Sequence, residues 1–102
     1  MPIVVELHGA QGAVLERLPD IEDVLHTTLP NYDDATFRLL TKIDWYGDTE
    51  FEAAQMGVLL EEIDRIMPSA VGTDQVTFMH RLRQIVARCP EIPGCKLKFL
   101  GD

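Results

Sequence analysis

The sequence predicts a single α+β domain over residues 1–102, with a mostly antiparallel sheet of three or four strands packed against two main helices in the order ββαβααβ. Three observations support this fold class. A chain of 102 residues suits one domain with its own core. Its content of 46% hydrophobic and 25% charged residues is typical of water-soluble globular proteins. Apolar residues alternate in short segments near both chain ends and recur with helical spacing in two longer segments of the second half.

The first elements form a predicted hairpin followed by a short helix. Alternation predicts a strand over Ile3–His8, followed by a turn over Gly9–Gly12. Ala13–Leu18 is expected to return as the second strand of a hairpin, although it alternates poorly. The next segment, Asp20–His26, carries apolar residues on one helical face, and Asp20 is a residue type that caps helices. These elements account for the ββα start of the chain.

The middle of the chain predicts a third strand and a long helix. Thr36–Ile43 places apolar residues on one face and two basic residues on the other, and Asp44–Asp48 forms a turn. The pattern Thr49-x-x-Glu52 fits a capping box, so the helix is expected to run from Thr49 to Met67, before Pro68. Four charged residues are expected off its apolar stripe: Glu61, Glu62, Asp64 and Arg65.

A second main helix and a final strand complete the predicted order. The helix is capped by Thr73 or Asp74 and reaches about Arg88, because its apolar residues form a continuous stripe. Two prolines and a glycine then turn the chain into the last strand, Lys96–Leu100, whose lysines point outward. Outward lysines discourage the pairing of this strand with another molecule.

The charge of the chain restricts its partners. The net charge is −8, and residues 1–52 carry all of it, with 11 acidic against 3 basic residues. Such a chain repels phosphate backbones and anionic membrane surfaces, so the sequence predicts neither nucleic-acid nor membrane binding. A basic protein would be attracted to it.

No apolar run is long enough to span a bilayer, and the first residues do not resemble a signal peptide, so the sequence predicts a cytoplasmic location. Cys89 and Cys95 are then expected to be reduced and buried, as small apolar residues are. Their spacing with the three histidines does not match a zinc site, so neither a metal ion nor a cofactor is expected.

Two stretches carry a resemblance. The segment Asp44-Trp45-Tyr46-Gly47-Asp48-Thr49-Glu50-Phe51 and the ending Lys98-Phe99-Leu100-Gly101-Asp102 resemble a family of small bacterial proteins that carries a D-x-Y-G-D-T-x-F pattern. The resemblance implies no activity. Glu50 and Glu52 depart from the family's apolar residue and Asn. In size and acidity the chain is also similar to immunity proteins that neutralise toxins.

The segment from Asp44 to Glu52 is the main candidate site. Trp45 and Tyr46 are good interface anchors on a loop, and the carboxylates around them would attract a basic partner; the candidate residues are Asp44, Trp45, Tyr46, Asp48 and Glu50. Two alternatives stay open. The segment is a turn that caps a helix, or it serves a small enzyme or ligand-binding domain.

A weaker candidate is the pair Arg81 and Arg88, which stand about two turns apart on one helix face. They would bind an anion, or pair with the acidic N-terminal half. No motif for catalysis is present, and no catalytic residue is predicted. The sequence therefore favours a non-enzymatic, acidic protein-binding module, monomeric or homodimeric, that meets a basic protein partner.

Overall fold

The computed structural model describes residues 3–20, 24–28 and 37–101. It confirms the α+β class and the order ββαβααβ. The strands are β1 (Val4–His8), β2 (Val14–Pro19), β3 (Asp48–Glu52) and β4 (Lys96–Leu100). The helices are α1 (Val24–Thr28), α2 (Met56–Ile66) and α3 (Thr73–Arg88).

The four strands form one antiparallel sheet in the order β2-β1-β4-β3. The last strand of the chain therefore lies in the centre, with β1 on one side and β3 on the other. Edge pairing with another molecule through β4 is prevented because both of its edges are already occupied, and its lysines are not the reason. Among the described strands, β2 and β3 lie at the edges of the sheet.

Alternation along each strand separates a buried face from an open face. The buried face packs under α2 and α3, and its aromatic rings Phe51 and Phe99 meet edge to face with their centroids 5.8 Å apart. On the open face, residues that are neighbours across the strands form a row of alternating charge: Arg17, Glu6, Lys98 and Glu50. Such cross-strand pairs of opposite charge favour this register.

The third strand was predicted in the wrong place. Residues 37–43 form a turn and a 3-10 helix, Leu40–Lys42, whereas Thr36 lies outside the described residues. Leu39 and Leu40 are both buried, which an alternating strand does not allow. Their amides donate to the carboxylate of Glu62, so this segment needs no neighbouring strand. Glu62 is thus buried, contrary to its predicted place off the apolar stripe of α2.

The long helix begins later than predicted. Asp48–Glu52 is strand β3. The Thr49 side chain lies on the buried side of the sheet and does not cap a helix. The capping box is formed three residues further on by Glu52 and Gln55, where the Glu52 amide donates to Gln55 Oε1 at 2.8 Å. Both segments match a capping box in sequence. The helix starts after the later one because residues 48–52 pair with β4 and form a strand.

The other two helices agree better with the prediction. α3 spans Thr73–Arg88, close to the expected range, but its N-cap is Gly72 without a side-chain hydrogen bond and not Thr73 or Asp74. Asp20 does bind the start of α1, because its two carboxylate oxygens each accept an amide hydrogen bond of 2.7 Å, from Val24 and Leu25. Residues 21–23 of the predicted helix lie outside the described residues. Among the described helices, none combines the length and the apolar character that crossing a membrane requires.

The cysteines are joined, contrary to the predicted free thiols. Cys89 at the end of α3 and Cys95 before β4 form a disulfide, with their Cα atoms 5.5 Å apart and both residues buried. Their Cα separation lies within the usual range for a disulfide. The bond closes a short loop with a sequence separation of 6. Closure of so small a loop stabilises the fold by about 2 kcal/mol, through lost entropy of the unfolded chain.

Candidate protein-binding site

The turn over residues 44–47 is held by side chains on both sides of it. The Asp44 carboxylate accepts a hydrogen bond from the Tyr46 amide at 2.9 Å, as in turns that begin with Asp or Asn. The Asp44 amide donates to the hydroxyl of Thr49 at 2.8 Å. Thr49 therefore ties the turn to β3, which explains its place in the motif without a helix cap.

Gly101 closes the turn from the other side. Its amide donates to the carbonyl oxygen of Gly47 at 2.7 Å. A Cβ atom on Gly101 would lie 2.6 Å from the carbonyl oxygens of Asp44, Trp45 and Gly47, closer than carbon and oxygen can approach. Only glycine fits here. The two stretches that carry the family resemblance therefore contact each other, because Gly101 follows β4 and the turn leads into β3.

The two aromatic residues of the turn differ in exposure. Trp45 is half-buried and packs against the hydrophobic core, whereas Tyr46 is 81% exposed. A Tyr side chain combines a large apolar ring with a polar hydroxyl, and such side chains are enriched at interfaces. Trp45 thus anchors the turn, and Tyr46 is the side chain that it presents.

Three carboxylates follow the turn along the open face of β3. Asp48, Glu50 and Glu52 alternate with the inward-facing residues, so they repeat about every 7 Å. Glu50 contacts Lys96 at 3.4 Å and Lys98 at 3.6 Å on the neighbouring strand. We call Asp44, Tyr46, Asp48, Glu50 and Glu52 the acidic corner. It has four carboxylates against two lysines, and no described strand covers the outer edge of β3.

The acidic corner does not have the form of an enzyme pocket. Glu50 lines a depression of about 310 Å³ together with His8, Lys96 and Lys98, so basic groups face it instead of further carboxylates. Within residues 3–20, 24–28 and 37–101, no three His, Cys, Asp or Glu side chains are grouped so that they could hold a metal ion. The depression beside Glu50 is therefore of mixed charge.

Arg81 and Arg88, the second predicted pair, line one cleft of about 510 Å³ between α3 and β2. Arg17 and Arg83 line it as well, and we call the four residues and their cleft the arginine cleft. As the sequence suggested for this pair, one member binds the acidic N-terminal half: Arg88 Nη1 lies 2.7 Å from Glu16 Oε2.

Arg83 also binds an acid outside the cleft, on α2. Two of its nitrogens donate to the carboxylate of Asp64, at 2.6 and 3.1 Å. These hydrogen bonds lower the pKa of Asp64 below its ordinary value, because they favour the charged carboxylate. Sequence reasoning missed Arg17 and Arg83. Arg17 reaches the cleft because β2 lies at the edge of the sheet beside α3. No local sequence pattern predicts this position.

No family model, curated protein or solved structure matches this chain. The acidic corner and the arginine cleft are therefore interpreted from their own chemistry.

Proposed function

We propose that the chain is a non-enzymatic protein-binding module whose acidic corner contacts a basic protein partner. One observation carries the proposal: Tyr46 stands 81% exposed on a turn held in place by hydrogen bonds and followed by the carboxylates of β3. Exposed tyrosines on rigid turns are typical anchors of interfaces, since little side-chain entropy is lost when they become buried.

The charges and the open strand edge support the same function. Carboxylates around an anchor speed the approach of a basic partner more than they add affinity. The free edge of β3 offers main-chain groups beside that anchor. An immunity-type inhibitor of a basic toxin, or a small accessory protein, would use such a surface. The module acts as a monomer or a homodimer.

The first test replaces Tyr46 by Ala. A basic partner isolated by pull-down with the intact chain is expected to lose about tenfold or more in affinity for Tyr46→Ala, because truncated interface anchors cost at least this much. Val71→Ala is the matched control, since Val71 is an exposed apolar residue on the loop before α3. Titration calorimetry measures both variants. Equal affinities for Tyr46→Ala and Val71→Ala would exclude the acidic corner as the binding site.

The same complex should form more slowly as salt rises. Association rates measured between about 50 and 500 mM salt are expected to fall, because ions screen exposed charges over a distance of about 10 Å or less. Dissociation rates should change much less. An association rate that does not respond to salt would show that the carboxylates do not guide the partner.

A cytoplasmic location is part of the proposal. Disulfides are rare in the cytosol, where thiols are kept reduced. This location therefore predicts that Cys89 and Cys95 are mainly thiols in the cell and form their disulfide after oxidation. Alkylation of the thiols in acid-quenched cells, followed by mass spectrometry, measures the reduced fraction. A fully oxidised pair in fresh cells would place the protein in an oxidising compartment instead.

A further inference from the structure

The arginine cleft lies against the free edge of β2. Glu16 points to the helix side of the sheet, where it meets Arg88, and Arg17 points to the open side, where its Nε lies 2.8 Å from Glu6 Oε2. Both residues nevertheless line the same cleft. Neighbouring residues of a strand point to opposite faces of the sheet. A cleft that is lined by both Glu16 and Arg17 must therefore run along the edge of β2. Among the described strands, only β1 pairs with β2.

The opposite wall is the exposed face of α3. Arg81, Gln84 and Arg88 follow one another at helical spacing, and the two arginines are about 10.5 Å apart along the helix axis. Arg17, Arg83 and Arg88 each form an ion pair within the molecule. Arg81 forms none with the described residues, so its guanidinium is free to bind a carboxylate with two parallel hydrogen bonds.

A second depression continues the cleft past Arg81. It has a volume of about 240 Å³, and Arg81 lines both. Leu18 of β2, Val24 of α1 and Phe78 of α3 supply its apolar lining, and the carboxylates of Asp20 and Asp74 line it as well. An apolar side chain would fit beside the arginines at this point. The combined surface is an elongated groove that offers charge, an apolar contact and an open strand edge.

The exposure of the arginines indicates the size of the ligand. The side chains of Arg17, Arg83 and Arg88 remain 63%, 43% and 49% exposed. A small molecule is usually held in a pocket that covers most of its surface, which this open groove would not do. Of the four arginines, only Arg81 has no ion pair with the described residues, which leaves too little unpaired basic charge for a phosphate backbone. An extended protein segment fits both the open groove and the strand edge.

We propose that the arginine cleft binds an extended acidic segment of a partner protein, which adds to β2 as a fifth strand. Its main chain pairs with the edge of β2, and one of its carboxylates, on the face toward α3, binds Arg81. This site is at the opposite edge of the sheet from the acidic corner and does not depend on it.

The test uses capped peptides of three Glu-Val repeats and three Lys-Val repeats. The acidic peptide is expected to bind and to protect amides of β2 from hydrogen exchange, whereas the basic peptide should do neither. Arg81→Glu should weaken binding of the acidic peptide about tenfold or more, since it replaces attraction by repulsion. Lys42→Glu makes the same change of charge outside the cleft and should leave the affinity within about twofold.

Three further measurements separate strand addition from simple charge attraction. A peptide methylated on alternate amides, those facing β2, should no longer bind, because it cannot pair with the strand. Inorganic phosphate should not displace the acidic peptide at equal charge concentration. Tyr46→Ala should bind the peptide normally. Equal binding of the methylated peptide, full displacement by phosphate, or equal affinities for Arg81→Glu and Lys42→Glu would each overturn the proposal.

Discussion

Replacing Glu62 by Ala is expected to lower the free energy of unfolding by about 3 kcal/mol, because buried backbone amides lose their only charged acceptor. Glu62 is 2% exposed on α2. Its carboxylate accepts hydrogen bonds from the Leu39 amide at 3.0 Å and from the Leu40 amide at 2.9 Å. Hydrogen bonds to charged groups contribute more than neutral ones, and an amide left unpaired in the interior is costly.

Urea unfolding of three variants tests this expectation. Glu61→Ala removes the neighbouring exposed carboxylate and should change stability by about 0.5 kcal/mol or less. Glu62→Gln keeps an acceptor oxygen without the charge, so its stability should lie between those of the two Ala variants. Hydrogen exchange of the Leu39 and Leu40 amides should accelerate in Glu62→Ala. If Glu62→Ala is as stable as Glu61→Ala, the carboxylate does not hold residues 37–43 in place.

Replacing Gly101 by Ala is expected to cost about 2 kcal/mol and to displace the turn of the acidic corner, as forced overpacking usually does. The added Cβ atom would meet three carbonyl oxygens at 2.6 Å, and none of these backbone atoms can move without moving the turn. Chemical shifts of Trp45 and Tyr46 should therefore change. Affinity for a basic partner should fall with them, although Gly101 lies beneath the corner.

Gly57→Ala is the matched control and should act in the opposite direction. Gly57 lies on α2, and a Cβ atom there meets no atom within 4 Å. Alanine is favoured over glycine inside helices by about 1 kcal/mol, so this variant should be more stable than the parent chain. Unfolding curves and two-dimensional NMR spectra compare the variants. Unchanged stability and unchanged shifts at residues 44–47 in Gly101→Ala would contradict the proposed role of Gly101.

Local patterns were sufficient for elements whose neighbours in sequence decide their conformation. α3 has a continuous apolar stripe and ends shortly before a proline, and its predicted end at Arg88 is confirmed. β1 and β4 alternate clearly, β2 alternates poorly, and all three are confirmed within two residues. The turn at residues 44–47 and the exposure of Tyr46 are consistent with the predicted loop, because the Asp44 carboxylate bonds the Tyr46 amide only two residues away.

Contacts between distant residues decided the rest. Glu62 holds Leu39 from a sequence distance of 23, and the sheet takes Asp48–Glu52 as a strand because β4 lies beside it, although its capping pattern also suits a helix. Arg17 reaches the arginine cleft because β2 is an edge strand. The amino-acid sequence by itself determined the fold class, the helix α3, the excess acidity and the residues of the exposed turn. Only the tertiary structure decided which strands lie at the edges, which carboxylate is buried and which arginines line one cleft. The reason is that local propensities act over a few residues, whereas strand pairing and burial join residues far apart in the sequence.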